Sequence, residues 1–153
     1  MLLLLFRMGN ERYALDTQPV ESIVPVVDLR SMAGTPKAVA GFFSYRQQIV
    51  PVIDLSYLTL KCDSKRLFSS RIILVRYPTI SGHFSLLGLL AENATETVDI
   101  KQEQLKDAGV FASDAPHLGP FFQHGQEMVQ CVTLQNLLPV ELQKILFQQP
   151  NLP

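Results

Sequence analysis

The residues able to do chemistry are three histidines, two cysteines and a few carboxylates beside apolar runs. His83, His117 and His124 fall in predicted turns or loops. None has a second histidine at i+4, or a cysteine or carboxylate cluster beside it, so no metal-ligand spacing is present. All three are expected to be solvated. Cys62 and Cys131 lie 69 positions apart, which is neither a secreted disulfide framework nor a zinc pattern. Cys131 sits in an apolar, strand-like run and reads as a small buried hydrophobe. Two unpaired thiols point to a reducing compartment. Asp16, Asp54, Glu92 and Asp99 adjoin apolar runs, but a catalytic pair needs two carboxyls facing one cleft. Asp54 instead closes a strand ahead of a short helix, which is a capping position. No nucleophile elbow, phosphate loop or dinucleotide fingerprint appears. The residues therefore predict no enzyme, no cofactor and no metal.

Composition narrows the alternatives. The 153 residues carry 13 Lys and Arg against 14 Asp and Glu, a net charge of −1. Nucleic-acid binding normally shows as a clustered basic face. The tightest basic group here, Lys61, Lys65 and Arg66, is interrupted by Asp63 and reads as a solvated loop. The opening "MLLLLFRM" lacks a basic n-region and a small-residue cleavage site, so it reads as a buried strand and not as a targeting signal. No run of 18 uninterrupted apolar residues is present, so no membrane insertion is expected. The length of 153 residues is enough for one ordinary domain or two very small ones, and the 47% hydrophobic content is normal to slightly apolar for a globular protein.

The elements that would position any site are short strands. Leu2 to Met8 and Arg12 to Leu15 read as a hairpin around Gly9-Asn10-Glu11. Asp16 is placed to cap a helical turn over Thr17 to Glu21. Ile23 to Leu29 is β-like, and Pro36 is placed to start a helical turn over Lys37 to Ala40. Phe42 to Tyr45 and Ile49 to Asp54 form strand, turn, strand, followed by a short helix over Ser56 to Leu60. A polar loop spans residues 61–70. Arg71 to Tyr77 and Phe84 to Ala91 pair across a turn, and Val98 to Ile100 is a further short strand. Lys101 to Gly119 reads as a helical turn and a long loop. Phe121-Phe122 and Met128 to Leu134 form another hairpin. Asn136 to Gln148 is a closing helix, with Leu138, Leu142, Ile145 and Leu146 near one face.

A repeat organises these pieces. "FFSYRQQIVPVIDLSYL" from Phe42 meets "FFQHGQEMVQCVTLQNL" from Phe121 at a constant offset of 79, without a gap. A weaker echo pairs "YALDTQPVESIV" from Tyr13 with "GLLAENATETVD" from Gly88. Two related halves of about five strands each are expected to share a core, because units that small are marginal alone. Small barrels would remove their exposed edges. The copies differ at one turn, where Tyr45-Arg46 stands opposite His124-Gly125. Arg and Tyr are favoured at protein interfaces, since each offers large area and hydrogen bonds. That turn is the candidate recognition element.

The segment "VAGFFSYRQQIVPVIDLSYL" resembles the central signature of the CheW family, approximately V-x-G-V-x-N-L-R-G-x-V-x-P-V-x-D-L. Val39, Gly41, Arg46, Ile49 or Val50, Pro51, Val52, Asp54 and Leu55 match it. "LLFRMGNERYALDTQPVESIV", "FSLLGLLAENATETVDI" and "LGPFFQHGQEMVQCVTLQNLL" are similar to the family's opening, middle and closing segments. The resemblance covers about residues 2–140. It implies a mainly β fold of two intertwined five-stranded SH3-like barrel subdomains, with short helices and a C-terminal helix. One domain over 2–148, followed by a tail at 149–153, is the organisation expected.

The resemblance also implies a cytoplasmic, non-catalytic adaptor that is recruited to receptor arrays. Its partners would be the cytoplasmic tip of a methyl-accepting chemoreceptor and the regulatory domain of a CheA-type histidine kinase. The protein-binding positions it carries over are Val20, Gly41, Arg46, Ile72 and Gly88, with Tyr45 beside the arginine. The family's Asn-Leu before the arginine is Ser44-Tyr45 here. Its V-x-E is Val20-Glu21-Ser22, and its V-D is Ala91-Glu92. The "YR" is similar to CheW-like adaptors of Wsp-type, surface-sensing pathways. The glycine after the arginine is Gln47, which predicts a wider or differently shaped turn. On the residues alone, a small barrel that binds a ligand or nucleic acid outside chemotaxis is the alternative, since such barrels host many functions.

Overall fold

The computed structural model describes residues 1–147. Gln148, where the expected domain and helix end, and the expected tail at 149–153 lie outside the described residues. β1 (Leu2–Met8) and β2 (Glu11–Asp16) form the expected hairpin. The helical turn predicted over Thr17 to Glu21 does not form. The Gln18 N–H donates to Asp16 Oδ1 at 3.0 Å, and this Asx turn leads directly into β3 (Val20–Pro25). The strand predicted at Ile23 to Leu29 therefore starts earlier, and it stops at Pro25, which has no N–H to extend a ladder. Nor is there a helical turn over Lys37 to Ala40. The Val39 N–H closes a single turn on the Pro36 carbonyl at 3.0 Å, and β4 (Val39–Tyr45) begins at once.

β5 (Gln48–Asp54) and α1 (Leu55–Leu60) follow. The Tyr57 N–H donates to Asp54 Oδ1 at 3.2 Å, so Asp54 caps α1. β6 (Arg71–Pro78) pairs with β7 (Phe84–Asp99), a single strand of 16 residues where two short ones were predicted. Asn93 takes φ 52 inside it, a left-handed conformation that asparagine tolerates, so the strand bends and continues. β8 (Leu118–His124) and β9 (Glu127–Val132) form the last hairpin. The closing helix, predicted over Asn136 to Gln148, is shorter. A 3₁₀ turn covers Leu134–Asn136, Pro139 disfavours helix at Leu138, and α2 runs only over Val140–Leu146. Leu142 is buried, but Ile145 is exposed, against expectation.

The strands make two five-stranded units that exchange partners. β1, β2, β8, β9 and the second half of β7 form one. β3, β4, β5, β6 and the first half of β7 form the other. Each draws strands from both halves of the chain, so the SH3-like subdomains are intertwined. The ladder does not close as a barrel would. Its path runs β3-β6-β7-β1-β2-β9-β8, with β4 held on β5.

The duplication is visible in the register. Phe42 faces Pro51 as Phe121 faces Gln130, and Tyr45 faces Gln48 as His124 faces Glu127. The weaker echo is displaced by one residue from the sequence alignment. Val52 faces Gly88 as Cys131 faces Ala14, so Gly88 corresponds to Ala14 and not to Tyr13.

Side-chain alternation explains the uninterrupted apolar run at the start. Leu3 and Leu5 of β1 pack inside their own subdomain with Ala14, Phe122 and Val129. Leu4, Phe6 and Met8 point the other way, into a core shared with Ile53, Ile73, Val75 and Leu89. A strand covered on both faces has no polar side to alternate with. β6 repeats the arrangement, with Ile72 inside the second subdomain and Ile73, Val75 and Tyr77 in the shared core. Tyr77 is fully buried, and its hydroxyl accepts from the Leu138 N–H at 3.0 Å, which ties the C-terminal segment to that core.

The histidines depart from the expectation of solvated loops. His83 is exposed, but His124 ends β8 with its Nε2 3.6 Å from Glu96. His117 is only 2% exposed, and its Nε2 shares a 2.9 Å hydrogen bond with the Thr59 hydroxyl. Its ring meets Thr59 of α1, and its carbonyl accepts from the Thr133 N–H at 2.7 Å, which places it against the end of β9. Cys131 is half-buried, and burial pushes its thiol up to about 11.

Two predictions follow from this packing. A Cβ at Gly88 would lie 2.9 Å from Cγ2 of both Ile72 and Val52. Gly88→Ala should therefore cost about 1–3 kcal/mol in denaturant unfolding, as overpacking does. Burial and nearby Lys61 lower the His117 pKa below its ordinary 6.5. The unfolded chain then binds the proton more readily, so stability should fall as pH drops below about 6.5. His117→Gln should flatten that slope in unfolding curves taken from pH 7.5 to 5.

Candidate functional site

The β4–β5 hairpin carries the Tyr45-Arg46 turn, and the sequence explains its geometry only in part. Tyr45 and Gln48 are the last pair of the ladder, so the turn is just Arg46-Gln47, at φ 47 and φ 68. This is the tight turn favoured by strand twist, which needs positive φ at both central residues. The wider turn expected from Gln47 is not observed. Gln47 takes a left-handed conformation that glycine adopts more readily, at the end of the paired ladder of β4 and β5.

Arg46 is exposed and lies over the Tyr45 ring, its guanidinium carbon 5.2 Å from the ring centroid. Tyr45 in turn meets Phe43 edge-on, with centroids 6.4 Å apart. Among the described residues Arg46 makes no ion pair. The equivalent turn in the other subdomain is tied down. His124 approaches Glu96, and Glu96 accepts from Arg12 at 2.6 Å, which holds its carboxyl below the usual carboxylate range.

Beside Arg46 lies a hollow of about 270 Å³, bounded by Glu21, Tyr45, Arg76, Phe84 and Leu86. Arg76 and Phe84 also border a second hollow of about 650 Å³ between the subdomains, walled by Leu15, Pro19, Pro78 and Leu134. Together they form one groove running from the Arg46 turn to the end of β9. Phe84 stands 70% exposed at the junction. Arg76 is committed within the fold. Its guanidinium donates to Glu21 Oε2 at 3.0 Å and to the Gln18 carbonyl at 2.9 Å.

The structure brings together some of the residues singled out from the sequence. Tyr45 and Arg46 border the groove. Val20, half-buried, opens β3 next to Glu21 and packs on the shared core. Gly41, Ile72 and Gly88 are buried inside the β4–β5 subdomain. Gly41 and Gly88 flank Val52 on one cross-strand row, and Ile72 touches the position where a Gly88 side chain would stand. Gly41, at φ 150, also sits where a Cβ would come 2.7 Å from Leu29 Cβ. Sequence reasoning missed Arg76, Phe84 and Leu86. An apolar residue opening a strand directly after a polar turn was the available signal for Phe84.

The CheW-like domain family matches residues 2–141. The chain belongs to the CheW-like family. It is 28% identical over 104 residues to a chemotaxis protein CheW of Treponema pallidum, covering 68% of this chain and 61% of that protein. It is 24% identical over 140 residues to chemotaxis protein CheW of Klebsiella aerogenes, covering 90% of this chain and 81% of that one. The scaffolding protein TtCheW of Thermoanaerobacter tengcongensis has a similar structure, with TM-score 0.78 and 25% identity, covering 92% of this chain and 89% of that one. Among the described residues of this CheW-like chain, no helix is long and apolar enough to cross a membrane.

The strained turn yields a direct test. Gln47→Gly removes a left-handed side-chain residue and should stabilise the fold by about 1 kcal/mol. Thermal unfolding should show a higher midpoint; an unchanged or lower one would mean that Gln47 makes a compensating contact.

Proposed function

We propose that this chain is a non-catalytic chemosensory adaptor, cytoplasmic in its working state. It couples the tip of a methyl-accepting receptor to the regulatory domain of a CheA-type kinase. The observation that carries the reading is an exposed arginine with no ion-pair partner among the described residues, set at the mouth of a groove of mixed polar and apolar lining between the subdomains of a CheW-like chain. An aromatic platform and a cation beside exposed apolar surface suit recognition of a protein partner. The similarity to two chemotaxis proteins CheW and to the scaffolding protein TtCheW supports the same pathway.

Within this reading, Tyr45 and Arg46 touch the receptor, together with Phe84 and Leu86. Val20 sets the start of the strand that carries Glu21. Gly41, Ile72 and Gly88 act through packing, by fixing the sheet from which the hairpin projects. Replacing either glycine would alter binding by moving Arg46.

Arg46→Glu separates the surface from the fold. The turn is exposed, so the variant should unfold like the parent and bind the kinase regulatory domain unchanged. Its affinity for a soluble receptor signalling tip, measured by calorimetry, should fall about tenfold or more through charge reversal at the interface. A folded variant that binds the tip normally would remove Arg46 from the receptor surface.

A further inference from the structure

The basic group at Lys61, Lys65 and Arg66 is part of a larger face around the end of α1. Lys61 follows that helix, and its Nζ lies 5.9 Å from the centroid of the Tyr57 ring. Lys37, from the loop before β4, places its Nζ 5.2 Å from the same centroid. Lys37, Lys61, Lys65 and Arg66 are all exposed. Among the described residues none of the four is in an ion pair. Asp63 is the one carboxylate within residues 61–71. Asp54 is buried and spends its oxygens on Tyr57 and Ser64, and Asp114 borders a hollow with Lys61 without pairing to it. The face is therefore positive on a chain whose net charge is −1.

Apolar side chains project from the same loop. Phe68 is fully exposed, at 104%, with Leu67 and Leu60 exposed near it in sequence. The loop is held rigidly in this pose. The Ser64 N–H donates to Asp54 Oδ2 at 3.0 Å, which fixes its first half. The Ser70 N–H closes a turn on the Leu67 carbonyl at 3.0 Å, and the Leu67 N–H donates to Ser70 Oγ at 2.9 Å. Arg71 donates to the Phe68 and Ser70 carbonyls, and the Ala94 N–H donates to the Ser69 carbonyl. Phe68 is thus presented from a turn that is ordered before anything binds, which lowers the cost of association. An aromatic anchor beside unpaired cations is the composition of a protein-binding hot spot.

The charge and the backbone decide what fits. Unpaired cations call for a partner rich in carboxylates. The backbone groups of Leu67 to Ser70 are used within the fold, so no open ladder remains for an added strand. Lys37 and Lys61 lie over Tyr57, away from the Phe68 turn, so the cations form a stripe along α1 and the loop. A stripe suits a helix better than it suits insertion of one loop tip into a bilayer. We propose that this face docks an acidic amphipathic helix of a partner protein, with Phe68 and Leu67 on its apolar stripe and Lys61, Lys65 and Arg66 on its flanking carboxylates. The face is separate from the Arg46 turn, because the seven residues of β5 run between them, about 20 Å at the rise of a strand.

The test uses the full chain and a labelled synthetic helix of about 20 residues, built from glutamate and leucine with the leucines on one face. Fluorescence anisotropy at low salt should show saturable binding. A peptide of the same composition scrambled to break the apolar stripe should bind at least tenfold more weakly. Phe68→Ser and Arg66→Glu alter exposed side chains, so both should melt like the parent, and each should weaken binding about tenfold. Arg46→Glu should leave it unchanged. No saturable binding, equal binding of the scrambled peptide, or full binding by Phe68→Ser would overturn the proposal. Phosphatidylglycerol vesicles provide the competing arm: if they bind the chain more tightly than the peptide does and lose it with Phe68→Ser, the face is a lipid surface and the proposal fails.

Discussion

β7 runs from Phe84 to Asp99 and changes partners once along its length. Up to Ala91 it pairs with β6 and, in parallel, with β5; from Glu92 it pairs with β1. Both subdomains therefore hang on one backbone segment, and the change of partner falls at the left-handed Asn93. Ala94 is anchored there by its N–H to the Ser69 carbonyl at 3.2 Å. Neither five-stranded unit can form without strands from the other half of the chain. The shared core follows from this, since β1 and β6 must be apolar on both faces to lie between two interiors.

The same constraint makes the groove. Two units joined through β7 and packed on a common core leave a cleft where their outer strands diverge. That cleft is walled by β2 and β9 on one side and by β6 and the start of β7 on the other. The duplicated hairpins then specialise. In one, His124, Glu96 and Arg12 satisfy one another, and the turn is held down by the fold. In the other, Tyr45 and Arg46 are left to project, and Gln47 adopts a strained conformation to keep the turn tight. A pair of equivalent turns, one committed inward and one presented outward, makes the duplicated fold asymmetric.

Much of this was legible in the sequence because apolar alternation and turn residues are local signals. The offset of 79 matches the equivalent registers of the two hairpins, although their strands start earlier than expected and β9 ends at Val132, and the capping role of Asp54 followed from its place at the end of a strand. What could not be read depended on distant partners. The 16-residue length of β7 is set by β1, which lies far away in sequence, so residues 92–97 looked like a break. Asp16 was placed to cap a helix, but the pairing of β3 with β6 drew the chain into strand. His117 looked solvated because nothing near it in sequence shows that Thr59 will cover it. The groove was legible only at Tyr45-Arg46. Arg76 and Phe84 join it through the β6–β7 hairpin, which the sequence identified as structure and not as surface.

The central claim is that one copy of this chain bridges two proteins, using the Arg46 groove for one and a separate face for the other. Sedimentation velocity of the purified chain mixed with a receptor signalling tip and a kinase regulatory domain tests it most directly. The account predicts a ternary species in which both partners are bound to one copy, and no direct association of the partners without it. If the tip and the kinase domain displace each other, or if neither binds, the chain is not a coupling adaptor.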